Sequence, residues 1–351
     1  MKVRLLANDS KIPNIAIMKI STYHKRLGDD VAWYNPIFDY EDTDILYHSQ
    51  IFTFTPKYQY YPINAKIIKG GTGFDIKSAL PAAIDKIVEL DYSLYPECNY
   101  SIQFLSRGCI RNCKFCVVRA KEGLIHKVEP LSLNPDGKYI MLLDNNFFAC
   151  KEWRDNIEIL KKYNQPIDFN QGIDLRLLTE EQCIELKKLK IKTIHCAWDN
   201  YQDKDIIIPK LELLCRYIKP YKITCYVLVG FESTDATDIE NAFKRIELLM
   251  RYQCLPYIMR YQNKNHSPWK DSKLKNLYIA LARWGNQPSI FKKMSFRQFC
   301  EANQALRKSP DKLCSSMQAM TEFEKENPTI AETYFNLRYD DYTLDIKDTK
   351  E

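Results

Sequence analysis

Cys109, Cys113 and Cys116 fall in one short segment, Gly108-Cys109-Ile-Arg-Asn-Cys113-Lys-Phe-Cys116. Thiolates at this Cys-x3-Cys-x2-Cys spacing can wrap one corner of an iron–sulfur cubane, and three ligands for four irons leave one iron open to a further group. Zinc is the competing metal, but zinc sites usually take a fourth ligand and pair their cysteines as Cys-x2-Cys twice, and neither pattern is seen here. Three of twelve scattered thiols is the other reading. Arg107, Arg111, Lys114 and Arg119 flank the thiols, which favours thiolate over thiol and offsets cluster charge; a solvated basic loop is the alternative for these four. The other cysteines, Cys98, Cys150, Cys196 and Cys225 among them, show no second cluster spacing. Most sit in apolar segments, where a buried reduced thiol is expected, so no auxiliary cluster is predicted.

A ligand loop needs a scaffold, and the 351-residue chain is long enough for two domains, or for one large domain with an appendage. The composition, 45% hydrophobic and 27% charged, is that of a globular protein, and no apolar run reaches the roughly 18 residues of a membrane span. Asp9 interrupts the N-terminal apolar stretch where a secretory signal would continue, so a cytoplasmic location with reduced thiols is expected. The net charge of +6, from 51 basic and 45 acidic residues, is a mild excess without the concentrated stripes of nucleic-acid binders.

The first ninety residues read as a small α/β layer, with strands over Lys2–Leu6, Val31–Tyr34, Ile45–Tyr47 and Ala65–Lys69 and a helix over Asn14–Leu27. The last strand runs into Gly70-Gly71-Thr72-Gly73. From residue 99, short apolar segments recur at the spacing of strand–helix units: Tyr100–Leu105, Tyr139–Leu143, Pro166–Asn170, Thr193–Trp198, Ile223–Val229 and Pro256–Tyr261. Amphipathic helices are expected between them over Trp153–Tyr163, Glu180–Leu189, Pro209–Ile218 and Asp238–Met250. Capping boxes are read at Thr179/Gln182 and Thr237/Glu240. Six strands alternating with helices predict a parallel sheet with its chemistry at the C-terminal strand ends. Beyond residue 285 polar helices over Ser289–Leu306 and Asp311–Lys325 precede an acidic, aromatic tail.

The cysteine segment, placed directly after the first strand of the repeating series, closely resembles the signature of the radical S-adenosylmethionine (SAM) superfamily. The resemblance implies a [4Fe–4S] cluster whose open iron chelates the amino and carboxylate groups of SAM, and whose electron splits SAM to methionine and a 5′-deoxyadenosyl radical. It implies an α/β fold: a partial (β/α)6 TIM barrel over 93–285, preceded by a small Rossmann-like domain over 1–92 and followed by a helical extension over 286–351. Phe115 matches the aromatic near the adenine. Asp144, Asn145 and Asn146 stand where many members carry Gly-Gly-Glu, and their oxygens could accept from the SAM ammonium. Arg176 is expected at the SAM carboxylate and Asp174 or Asn170 at the ribose, with Gln171 beside them; a turn capped by Asp and Asn is the alternative. Gly230 and Glu232 match the segment passing the adenine. Trp198, Asp199, Arg260 and Tyr261 are the substrate-side candidates.

The N-terminal layer resembles a shortened cobalamin-binding domain, but Thr22-Tyr-His24-Lys-Arg-Leu-Gly28 lacks the aspartate of Asp-x-His-x-x-Gly and sets the glycine one place late. His24 therefore reads as a helix-surface residue and not a cobalt ligand. Phe54, Thr72 and Phe74 are expected to meet substrate. The resemblance implies an enzyme acting on a small molecule, with an electron donor such as flavodoxin or ferredoxin and no membrane or nucleic-acid partner. The layout further resembles enzymes that act on 7-deazapurines, and the specific expectation is a lyase that cleaves a carbon–nitrogen bond of queuine to release a 7-deazaguanine base. There Asp199 or Glu232 would accept the guanine-like N–H edge, and Phe54 or Trp198 would stack on the ring. The alternatives are methyl transfer or modification of a peptide or nucleic acid and, from another class, a non-catalytic iron–sulfur electron carrier or binding module.

Overall fold

In the computed structural model, residues 1–344 are described except 11, 264, 265, 308, 310 and 311. The chain divides into two compact units, Met1–Asp168 and Phe169–Glu351.

Four short strands open the first unit: β1 (Lys2–Ala7), β2 (Asp30–Trp33), β3 (Ile45–Ser49) and β4 (Lys66–Gly70). They pair in parallel in the order β2-β1-β3-β4. Val3 and Leu5 alternate onto one face of β1 and pack with Ile17, Ile20 and Ile84. Ile17 and Ile20 are three apart on the helix Ile15–Arg26, whose N-terminus Asn14 caps by accepting from Ile17 N at 3.2 Å. His24 is not on the helix surface: it is 4% exposed, with Nδ1 2.7 Å from Asp29 Oδ2 and Nε2 3.0 Å from Tyr47 Oη. Partners on both ring nitrogens make its burial tolerable.

The remaining strands are β5 (Ser101–Gln103), β6 (Ser106–Arg107), β7 (His126–Lys127), β8 (Ile140–Leu142), β9 (Ile167–Ile173), β10 (Ile191–Ala197), β11 (Ile223–Val229) and β12 (Leu255–Arg260). The six-stranded sheet has the order β12-β11-β10-β9-β8-β5, so each strand lies beside its predecessor in that series, and β6 and β7 form a separate antiparallel ladder. The pairs β5/β8, β10/β11 and β11/β12 are parallel. The α/β class with parallel sheets follows, and every strand expected from the apolar pattern is present.

In the second unit one face of the sheet is closed by helices. Cys196, Cys225, Val227 and Ile258 share that face in the strand register and are at most 2% exposed. Helix Lys204–Tyr217 begins before Pro209, which sits inside it, because Ile207, Leu211 and Leu214 form one buried stripe that outweighs the lost N–H. Helix Ala236–Arg251 is capped by Asp235, which accepts from Thr237 N and Asp238 N; the expected Thr237/Glu240 box does not form because the chain is already helical there. The Thr179/Gln182 box is present.

The expected helix over Ser289–Leu306 is two, Pro288–Phe291 and Phe296–Ala305, separated where Ser295 and Gln298 make a capping box. Helix Ser315–Glu326 corresponds to the next expected one, whose assigned start, Asp311, lies outside the described residues, as does the end of the tail from 345. Helices Lys275–Gly285 and Pro328–Tyr334 were not anticipated. Phe243, Trp284, Phe296 and Phe335 bind this layer in an aromatic cluster, with Phe296 and Phe335 centroids 5.1 Å apart. Asn286, the C-cap of helix Lys275–Gly285, gives its side-chain amide to edge strand β12: Oδ1 accepts from Ile258 N and Nδ2 donates to Ile258 O at 3.1 Å.

Candidate functional site

The cysteine loop lies in the first unit and leaves β6 through Gly108, whose φ of +83° is left-handed and whose added Cβ would lie 2.4 Å from Leu124 O. Backbone pairing closes it: Ser106 and Arg107 register with Lys127 and His126, and Cys109 N donates to Gly123 O at 3.2 Å. Cys109 and Cys113 are half-buried and Cys116 is exposed. Around Cys109 Sγ, Arg111 N donates at 3.3 Å and Asn146 Nδ2 approaches to 3.7 Å. Asn146 Oδ1 is buried with no hydrogen-bond partner.

The donor set suits a thiolate-held cluster. Main-chain and amide N–H groups aimed at a cysteine sulfur are what an anionic cluster ligand takes. Among the described residues no group of three or more His, Cys, Asp or Glu side chains is gathered to hold a metal ion, the three loop cysteines included.

Glu122, which the sequence reading did not name, holds this loop together with Asp144, which it did. Glu122 accepts from Arg107 Nη2 at 2.6 Å, from Gly108 N at 3.0 Å and from Asn145 Nδ2 at 3.0 Å. Burial pushes its carboxyl up, but Arg107 and the Gly108 N–H outweigh that and hold it below the usual range. Asp144, 2% exposed, directs both oxygens at the turn after β5, accepting from Leu105 N at 3.0 Å and from Ser106 N at 2.6 Å, and also from Ser106 Oγ. Burial outweighs those bonds and pushes its pKa up to about 6. Of the three residues read as SAM ammonium acceptors, Asp144 thus braces the strand ends, Asn145 braces Glu122 and Asn146 faces Cys109.

The glycine turn after β4 is joined to the same neighbourhood. Lys121 Nζ donates to Ser78 O, and Ser78 Oγ accepts from Gly71 N at 3.3 Å. Thr72 is half-buried, while Phe74 is 38% exposed and meets His48 edge-on at 4.9 Å. Phe54 is 43% exposed and stacks on Phe52 at 5.2 Å. Their loop is anchored by Asp9, which accepts from Ile51 N, Phe52 N and Thr55 Oγ1.

The second unit carries the other candidates at its strand ends. Asn170 O accepts from Tyr226 Oη at 2.6 Å, and Gln171 is exposed. Asp174 caps the short turn Leu175–Leu177 and accepts from Arg176 Nε at 2.7 Å; Arg176 Nη1 also lies 3.6 Å from Asp203 Oδ2. Trp198 is 1% exposed, on the helix-covered face, with its indole donating to Asn200 O at 2.9 Å. Burial raises the Asp199 carboxyl to about 6, against the pull of Arg245 and Arg176. Arg245, 2% exposed, clamps this end: its guanidinium donates to Trp198 O, Asp199 O and Leu228 O at 2.8–3.0 Å. The sequence signal was an arginine inside the apolar stripe of its helix.

At the end of β11, Gly230 has a φ of +68° and its N–H donates to Asp238 Oδ2, which also accepts from Tyr278 Oη. An added Cβ would lie 2.7 Å from Trp269 Cβ. The Arg260 guanidinium lies 4.7 Å over the Trp269 ring, whose indole donates to Tyr261 O, and Tyr261 packs on Phe231 at 4.7 Å; Glu232 is exposed. On the opposite sheet face His195, Tyr226 and Tyr257 form a row across three strands, His195 and Tyr226 stacking at 5.2 Å, which the sequence reading did not single out.

No protein-family model matches the chain, and no curated protein matches it. Among solved structures it is similar to one described as the radical S-adenosylmethionine methyltransferase TsrM from Kitasatospora setae with cobalamin and [4Fe–4S] cluster bound. The likeness is 10% sequence identity and a TM-score of 0.49 over 74% of this chain and 72% of that one. At that distance it assigns this chain neither a fold family nor a cofactor.

Proposed function

We propose that the protein is a radical SAM enzyme acting on a small molecule, and the observation that carries this reading is the cysteine loop: three cysteines in the sequence order Cys-x3-Cys-x2-Cys, closed by the β6/β7 ladder, with N–H groups on Cys109 Sγ. When bound at Cys109, Cys113 and Cys116, a [4Fe–4S] cluster would supply the electron that splits SAM to methionine and a 5′-deoxyadenosyl radical able to take hydrogen from substrate. The chain's own part is to fix and shield. Gly108 lets the loop pass against Leu124, and Asn146 offers an amide toward Cys109 and a buried carbonyl oxygen still open to a donor. We assign Phe115, Asn146, Asn170, Gln171, Asp174, Arg176, Gly230 and Glu232 to SAM, and Phe54, Thr72, Phe74, Asp199, Arg260 and Tyr261 to substrate. The finer architecture we propose is a partial (β/α)6 barrel over 93–285 with a Rossmann-like layer over 1–92 and a helical extension over 286–351, reduced by a flavodoxin- or ferredoxin-type donor.

Queuine, cleaved at its carbon–nitrogen bond, is the substrate we propose; the partly exposed ring of Phe54 supports it as a stacking surface for a flat base. Anaerobically reconstituted protein, given a reductant, SAM and queuine, is expected to release 5′-deoxyadenosine and a 7-deazaguanine base by mass spectrometry. Unchanged queuine alongside turnover of another compound removes queuine; no 5′-deoxyadenosine with any candidate substrate removes the radical reading.

A further inference from the structure

The loop from Gly108 to Glu122 has little to hold it by hydrophobic burial. Its helix, Val118–Glu122, has no buried residue, and the loop carries Arg111, Lys114, Arg119 and Lys121 in close succession. Polar contacts close it: a ladder of two residue pairs, the bonds from Cys109 N to Gly123 O and from Arg119 Nη1 to Cys109 O, the Lys121 Nζ bond to Ser78 O, and Glu122. Glu122 alone among these ties three stretches of chain. Its carboxylate reaches back to Arg107 and Gly108 N, where the loop begins, and takes Asn145 Nδ2 from the segment after β8; its side chain is only 14% exposed. Gly108 is next to the first thiol, and Asn145 is next to the residue whose amide meets that thiol's sulfur.

We propose that Glu122 is a positioning residue, the clasp that sets Cys109 and Asn146 in place before any cluster is present. The proposal deepens the cluster reading above and rests on it. Glu122 touches no reacting atom; it acts through Gly108 and Asn145.

The test uses the full chain and two readouts that separate the clasp from the cluster. Trypsin applied to the metal-free protein reports loop order at Arg111 and Lys114. Glu122→Ala is expected to speed cleavage there by about tenfold, with the far-UV spectrum unchanged, because three contacts to a charged acceptor are lost. Glu122→Gln can still accept from Gly108 N and Asn145 Nδ2 through one oxygen, and is expected to stay within roughly threefold of the parent. After anaerobic reconstitution, iron and sulfide content and the low-temperature electron paramagnetic resonance of the reduced protein are compared. The alanine variant is expected to lose cluster affinity by roughly ten- to a hundredfold with an altered signal, and the glutamine variant to restore both.

Equal cleavage, iron content and spectra in parent and alanine variant overturn the clasp and leave the cluster reading intact. Parent protein that takes up neither iron nor sulfide overturns the cluster reading, and the trypsin comparison then decides the clasp alone. If Glu122→Ala does not accumulate as folded protein, Asn145→Ala, which removes one donor from outside the loop, is expected to raise cleavage in the same direction, and unchanged cleavage in it counts against the clasp.

Discussion

Asp144 shows how a single carboxyl can be held by donors and still resist ionisation. Burial leaves it titrating near 6, above the ordinary 3.8 of the unfolded chain, so between those values the native state holds a proton that the unfolded state has released. Stability contributed at this position is therefore full at low pH, is lost as pH rises through about 4 to 6, and is flat above; the span amounts to roughly 3 kcal/mol. Denaturant titrations at several pH values should show that downward slope in the parent and not in Asp144→Asn; equal slopes in both would mean that the carboxyl ionises normally. Replacing Cys109, Cys113 or Cys116 singly by Ala is expected to abolish retention of a full cluster, read as iron per chain, while the metal-free fold persists. The three cysteines stand out in the sequence because they lie within a few residues of one another. Glu122 and Arg245 are not, since they act on groups distant in the chain, such as Asn145 for the first and Trp198 for the second. Trp198, named as a substrate-side candidate by residue type, is buried.

Secondary elements were the most readable level, and the misreadings share a cause. Strand β11 and helix Trp153–Tyr163 agree with expectation residue for residue, because alternation and three-four spacing are local facts. Helix starts were less secure where two capping residues compete. Asp235 and Thr237 both precede the same stripe, and Asp235 prevails by accepting from two N–H groups at once. Asp235→Ala is thus expected to cost about 1 kcal/mol in denaturant unfolding, while Thr237→Ala costs a few tenths at most; the reverse order would restore the sequence-based assignment. The same helix supplies Arg245, whose burial lowers its affinity for the proton and leaves it fastened to three main-chain carbonyls at two strand ends. Arg245→Met keeps the volume and strands those carbonyls, so a loss of about 3 kcal/mol is expected, with Arg245→Lys recovering part of it.

At the scale of the whole molecule, parallel pairing between successive strands was readable from the strand–helix alternation, and no helix among the described residues is long and apolar enough to cross a membrane. Where an open sheet stops is a different matter, since nothing in an apolar run says that its strand will have a bare side. Strand β12 is such a terminus, and Asn286 occupies its free side at Ile258. A carboxamide presents a donor and an acceptor in the arrangement of a peptide unit, so at that point the strand meets an imitation of a neighbour that cannot be extended. Asn286→Ala would leave an unsatisfied peptide for another chain to complete. Light scattering across a concentration series should then show that variant self-associating at lower concentration than the parent, with Asn286→Asp, which keeps only the acceptor, in between; identical curves would mean that the edge is guarded elsewhere. One helix end thus acts as a terminator of strand recruitment, a property bearing on colloidal behaviour and independent of what the cysteine loop binds.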